Sequence, residues 1–186
     1  MGVELTKRDK KIFNDLSRCR IATDRQFRKL YWKKDNGDLI HLNNVKKRMR
    51  ELEKAGFVEK KNIWSPREQK TFSFFTLTEK GSVHTQNTNP SFGFKDTDIE
   101  NIDHDYTISK IYFDLENEER KSFVTCSQSE KFSVGGSIPD AYRIDPASGS
   151  KIIEEVITAN YSSADIAQKQ NAWESAGVQY NMYDIK

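Results

Sequence analysis

The chain has 186 residues, of which 35% are hydrophobic and 31% charged, with a formal net charge of +2. That suffices for one large domain or two of about 80–100 residues each, and the composition suits well-solvated domains with modest cores. No apolar run approaches the roughly 18 residues of a membrane helix, the N-terminus MGVELTKRDK has no signal-peptide core, and Cys19 and Cys126 are too isolated for a disulfide framework or a zinc site.

Cytosol is therefore the expected location. Gly2 with Thr6 fits the loose myristoylation pattern, a short match read here as coincidence. The charge is unevenly divided. Residues 1–81 hold 21 Lys and Arg against 11 Asp and Glu, a net +10, and residues 82–186 hold 9 against 17, a net −8. A basic half joined to an acidic half points to a polyanionic partner for the first.

Taken in order, Thr6 and Asp9 form a capping arrangement for a helix over about 7–19, with Ile12, Phe13 and Leu16 at helical spacing. Ile21-Ala22 reads as a short link. Thr23 caps a second helix carrying Phe27, Leu30 and Tyr31, with Arg25, Arg28 and Lys29 outward. Residues 33–40, with Asn36-Gly37 in the middle, form a polar turn. The third helix lies in the stretch NNVKKRMRELEKAGFV, residues 43–58. Leu42, Val45, Met49 and Leu52 fall on one stripe; at about 100° per residue Asn43, Lys47, Arg50 and Lys54 lie roughly opposite, with Lys46 on the shoulder. Gly56 supplies a left-handed stop and Phe57 folds back on the apolar side.

Two β-like runs follow, 57–60 and 71–76, with Trp64, Pro66, Arg67 and Lys70 in the loop between them. Three helices and a basic hairpin predict a winged helix-turn-helix, with Lys60, Lys61, Arg67 and Lys70 at the tip where a wing reaches phosphates. A short helix starts at 77–81, and the polar stretch 82–97 is the expected linker. An amphipathic helix is expected over 98–116, with Ile102, Tyr106, Ile108, Ile111, Tyr112 and Leu115 on its apolar side, then a charged turn over 117–121. Strands are expected over 123–126, 132–134, 138–144, 151–157 and 178–185, with a helix over 163–176 ended by Gly177. The expected class is thus α+β: a winged helix in 1–81, a linker in 82–97 and a small α/β domain in 98–186.

Two places can carry chemistry. A helix fits the DNA major groove, where Arg and Lys bond guanine edges and Asn bonds adenine. Asn43, Asn44, Lys46, Lys47 and Arg50 are the candidate base-reading residues, and Lys54 a phosphate contact. Arg25, Arg28, Lys60, Lys61, Arg67 and Lys70 complete the expected DNA-binding set. A solvated helix in a protein-interaction domain is the rival.

The second place is Pro139-Asp140 followed by Glu154-Glu155-Val156. It resembles the metal-binding frame of PD-(D/E)xK nucleases, in which an Asp on one strand and an acid on the next hold a divalent cation and a Lys two residues on stabilises the attacking water. Asp140 with Glu154 is the candidate Mg²⁺ pair, with Glu155 as the other acid. Val156 or Ile157 stands where the motif has Lys, and Lys169 substitutes only if it points back. A non-catalytic frame without cofactor is therefore preferred. His104-Asp105 heads the predicted helix as a capping pair, His41 lies where it can touch phosphate, and His84 has no assigned role.

In order, these landmarks resemble the replication-relaxation family of plasmid and mobile-element proteins: Leu5-Thr6-Lys7-Arg8-Asp9, Leu52-Glu53-Lys54-Ala55-Gly56-Phe57, Leu77 to Gly81, His104, Pro139 to Ala141, and Glu154-Glu155. The resemblance implies a cytoplasmic DNA-binding protein, encoded by a bacterial plasmid or phage. It would act in replication, relaxation or transfer of DNA, or in transcriptional control of those genes. A homodimer on double-stranded DNA is the expected assembly, without a membrane partner. A metal-dependent nuclease or nicking accessory is the alternative.

Overall fold

The computed structural model describes residues 3–86, 93, 101–125 and 132–185. Gly2, residues 98–100 at the start of the expected helix, most of the expected linker and Cys126 lie outside them. The chain is mixed α+β and divides into two compact units, Met1–Ser109 and Lys110–Lys186. Among the described residues no helix is long and apolar enough to cross a membrane.

In the first unit, α1 (Lys7–Cys19), β1 (Ala22–Thr23), α2 (Asp24–Tyr31), α3 (Leu42–Lys54), β2 (Val58–Ser65), β3 (Lys70–Leu77) and α4 (Glu79–Ser82) follow in order. Both predicted caps form: the Thr6 hydroxyl accepts from the Asp9 amide and the Thr23 hydroxyl from the Gln26 amide, each in a reciprocal capping box. Of the two residues read as a short link, Ala22 forms β1 together with Thr23 and pairs antiparallel with β3, giving the order β1-β3-β2. Ile12, Phe13, Leu16, Phe27, Val45, Met49 and Leu52 are all fully buried. A second cluster joins Ile21, Ile63, Phe72 and Phe74 with Ile102 and Tyr106 of α5 (Ile102–Asp114).

The end of α3 is as its sequence predicts. Gly56 takes φ +78°, the Phe57 amide donates to the Leu52 carbonyl at 3.0 Å and the Gly56 amide to that of Glu53 at 2.9 Å, a left-handed stop that satisfies carbonyls the helix leaves open. The segment after the hairpin reinforces it. The Thr78 hydroxyl donates to the Gly56 carbonyl at 2.6 Å, Lys80 Nζ donates to that of Ala55 at 2.6 Å, and the same ammonium lies 4.5 Å over the Phe57 ring.

The hairpin departs from expectation. β2 continues through Trp64 to Ser65, all eight of its residues pair with β3, and the turn is confined to 66–69. Alternation explains this: Ile63 and Ser65 are buried, so the polar Asn62 and the exposed Trp64 lie on the opposite face of a regular strand.

The unit boundary falls inside α5, between Ser109 and Lys110, later than the linker predicts. The first half of α5 packs on the hairpin through Ile102 and Tyr106. Its Asp105 lies in the first turn, as expected, and is buried: Arg20 Nη1 lies 3.6 Å and His104 Nδ1 3.1 Å from its carboxylate.

The second unit holds the end of α5, α6 (Asn117–Ser122), β4 (Val124–Thr125), β5 (Ala141–Ile144), β6 (Lys151–Ile157), α7 (Ser163–Ser175) and β7 (Gln179–Asp184). The charged turn expected at 117–121 is a helix, at whose start the Glu116 amide donates to Glu119 Oε2 at 3.1 Å. The strand expected at 132–134 is reduced to a bridge between Val134 and Ser137. The sheet order is β4-β5-β6-β7, antiparallel except for the parallel β6–β7 pair that α7 connects. Ile153, Val156 and Trp173 are fully buried in this unit.

Candidate functional sites

In the first unit α3 is two-faced. Val45, Met49 and Leu52 are buried at 0% exposure, whereas Asn43, Asn44, Lys46, Lys47, Arg50 and Lys54 are exposed. Its first turn carries no acid, and His41 serves as N-cap, Nδ1 accepting from the Asn43 amide at 3.2 Å. Lys46 Nζ lies 4.0 Å from Asp24.

Arg48, which periodicity alone does not single out, turns inward. It donates from Nε to Asp9 Oδ1 at 3.0 Å, from Nη2 to Asp9 Oδ2 at 2.6 Å and to the Glu4 carbonyl at 2.8 Å, and from Nη1 to Glu51 at 2.9 Å. Burial alone would raise the Asp9 carboxyl, but the Arg48 guanidinium together with the hydroxyl and amide of Thr6 holds it below its ordinary value. The pair fixes α3 against α1.

Three of the expected DNA-binding residues are placed otherwise than predicted. Arg28 donates from Nε to the Ile40 carbonyl at 2.6 Å and from Nη2 to that of Leu39 at 3.4 Å, so it clamps the loop before α3. Lys60 and Lys61 lie mid-strand opposite Phe75 and Phe74, not at the hairpin tip. Lys61 Nζ is 3.8 Å from Glu59. At the tip itself, the Arg67 amide donates to Asp103 at 3.1 Å and its Nη1 reaches Thr107 Oγ1 at 3.5 Å, while Lys70 Nζ pairs with Glu68 at 2.9 Å. The Ser65 hydroxyl donates to the same Asp103 carboxylate. Arg25, on α2, is exposed.

A cleft of about 180 Å³ opens between the starts of α2 and α3 and strand β3, and Arg25, Lys46, Lys70, Thr71 and Ser73 are among its walls. It gathers three cations and the Asp24 carboxylate from three separated stretches of sequence.

In the second unit the register Ala141↔Glu154 sets Asp140 opposite Glu155, so these two share a face of the sheet. The Val156 amide donates to Asp140 Oδ2 at 2.8 Å and the Asp140 amide to Glu155 Oε2 at 3.1 Å. Glu155 Oε1 accepts from Tyr161 Oη at 2.9 Å and from Lys169 Nζ, which also donates to the Ile138 carbonyl at 3.3 Å. Lys169 therefore does point back to the acidic strand from α7. Beside it lies a cleft of about 430 Å³ lined by Gly135, Gly136, Asn160, Tyr161, Gln168 and Lys169 among others.

Burial, and then the charge of Asp140, raise the Glu155 carboxyl above its ordinary value despite the Lys169 and Tyr161 bonds. Burial and the charge of Glu155 raise the Tyr161 phenol. Burial works against the Lys169 ammonium, but the Glu155 carboxylate outweighs it and the net shift is upward.

Glu154 is not the partner of Asp140. It is fully buried on the opposite face, where its carboxylate accepts from Arg143 Nε at 2.8 Å, Tyr183 Oη at 2.8 Å and Asn181 Nδ2 at 3.1 and 3.2 Å. Arg143 Nη1 continues to Glu119 at 2.6 Å. Neighbouring residues of a strand point to opposite faces, so Asp140 with Glu154 cannot form the expected pair.

The remaining pair fits a hard divalent cation poorly. Such an ion takes six or more oxygen ligands. Here both Glu155 oxygens already accept hydrogen bonds, one from an ammonium that supplies the positive charge a cation would bring. Among the described residues no three His, Cys, Asp or Glu side chains converge as ligands. No family model, curated protein or solved structure matches the chain.

Proposed function

We propose that residues 1–81 are a winged helix-turn-helix that binds double-stranded DNA, with α3 as the helix laid in the major groove. The supporting observation is the division of α3. Three fully buried apolar residues anchor it, while Asn43, Asn44, Lys46, Lys47, Arg50 and Lys54 stand exposed on a helix with no acid in its first turn. Those side chains carry the donors and acceptors that base edges and phosphates accept. In this reading the antiparallel pair β2–β3 is the wing, and Arg25 joins the phosphate contacts.

Combined with the motif order described above, the reading makes this a cytoplasmic regulator of transcription, replication or transfer of a plasmid or other mobile element. It acts as a homodimer on half-sites about one helical turn apart. Arg50→Ala should weaken binding to the cognate duplex by about 1–3 kcal/mol if Arg50 reads a base. Unchanged affinity in a low-salt titration refutes that role.

A second reading, a nuclease-like α/β frame in residues 110–186, is favoured by one observation: Lys169 reaches Glu155 beside Asp140. The poor fit to a divalent cation keeps it second. A plasmid-cleavage assay with Mg²⁺ or Mn²⁺ beside Asp140→Ala separates the readings. Metal-dependent cleavage that the variant loses reverses their order.

A further inference from the structure

Trp64 stands on the wrong side of its strand for a core residue. In β2 the neighbours Ile63 and Ser65 are buried, yet Trp64 is 55% exposed. An exposed indole forfeits one of the largest apolar contributions a side chain can make to a core, and what it can do instead is set by its neighbours. Its surroundings are polar. Asn62 precedes it on the same face, and Thr71 and Ser73 flank it across the strand pair, the Ser73 hydroxyl donating to Asn62 Oδ1 at 2.8 Å. Thr71 and Ser73 are also walls of the cleft that holds Arg25, Lys46 and Lys70 with a single carboxylate, Asp24. The indole thus stands across the strand pair from one wall of the cationic cleft, Thr71, on a strand whose last residue, Ser65, is tied to Asp103.

We propose that Trp64 is a nucleic-acid contact, its indole packing against a base or an opened base step of the strand whose phosphates the adjoining cationic cleft holds. The inference rests on the DNA-binding reading of this unit. Charge complementarity selects the partner. A protein hot spot needs apolar surroundings that exclude water, whereas a base needs an exposed ring face beside cations for its backbone, and tolerates polar neighbours. Side chains of this kind enter DNA by wedging a base step apart, which costs least at flexible pyrimidine–purine steps. The contact therefore adds a preference for such steps, or for an unpaired base, separate from whatever α3 reads.

The chain reports on this contact by itself. Of its three tryptophans, Trp32 is 3% and Trp173 0% exposed, so a change of emission on binding comes chiefly from Trp64. The full chain is titrated with a labelled duplex, and with the same duplex carrying one unpaired base, while label anisotropy and tryptophan emission are followed together. Wild type should show emission quenched in step with anisotropy and tighter binding to the unpaired-base duplex. Trp64→Ala should bind about tenfold to a hundredfold more weakly. Trp64→Phe should retain most affinity but lose the emission change, and both variants should keep the wild-type melting profile.

Wild-type anisotropy binding without an emission change, with Trp64→Ala within about twofold of wild type, overturns the contact and leaves the DNA reading standing. Absence of binding to either duplex overturns both. An emission shift that follows protein concentration without DNA assigns the face to a second copy of the chain and also overturns the proposal.

Discussion

Replacing Arg48 by Met tests whether α3 owes its placement to one buried ion pair. Asp9 is 0% exposed and receives two guanidinium hydrogen bonds from Arg48, at 3.0 and 2.6 Å, besides the Thr6 hydroxyl and amide, each at 2.7 Å. Removing one partner of a buried pair costs about 3–5 kcal/mol because a charge is left uncompensated. Two observations lower that figure: the Arg48 side chain keeps 21% exposure, and Thr6 still satisfies Asp9 Oδ2. Met keeps the aliphatic packing, so the expected loss is about 2–3 kcal/mol. Urea denaturation at neutral pH gives it as a lower midpoint with an unchanged slope. The Asp9 carboxyl is depressed in the folded state, so its stabilisation is full above the unfolded value and is lost as pH falls through the folded one. The gap between wild type and variant must therefore narrow in acid. A gap below about 0.5 kcal/mol at neutral pH, the range of ordinary surface substitutions, or one that does not narrow in acid, refutes the argument.

Gly81→Ala should destabilise the first unit by at least about 1–3 kcal/mol by overpacking, since a Cβ there would lie 2.0 Å from the Phe57 carbonyl oxygen; a melt indistinguishable from wild type counts against it. The raised Glu155 carboxyl reverses the usual acid dependence. Its contribution is full below the unfolded value and is lost as pH rises through the folded one. The stability advantage of wild type over Glu155→Gln should accordingly shrink as pH climbs out of the ordinary carboxylate range, and an advantage that grows instead contradicts the assignment. Lys54→Ala should lower duplex affinity alike for all sequences and reduce the salt slope by about 1; a sequence-dependent loss moves Lys54 among the base-reading residues.

The features legible in the sequence are those encoded by near neighbours. The α3 stripe, its Gly56 stop and the Thr6 and Thr23 caps rest on spacings of three or four residues, and each forms as its spacing demands. What escaped needs partners far along the chain. Asp9 reads as a helix cap because its cap is local, while its ion pair spans 39 residues. Arg28 looks outward on a helical wheel, yet the loop it clamps curls back over it. The length of β2 was hidden because an alternation placing Trp64 outside resembles a loop. Adjacent Glu154 and Glu155 must point apart by strand geometry alone, but only the register with β5 decides which one meets Asp140. Lys169 could be identified as a candidate but not placed, since its reach depends on where α7 packs after the strand ends.

The clamp at the end of α3 has a mechanical consequence. The carbonyls of Ala55 and Gly56 are held by Lys80 and Thr78, and the Phe57 carbonyl oxygen occupies the place a Cβ on Gly81 would take. With Arg48 fastening its middle to α1, the helix is held at two points along its length and cannot readily slide or roll as a probe. Any adjustment at a surface it meets must then come from the other molecule. The stiffness of that molecule, and not only the groups it displays, would enter the energy of the encounter.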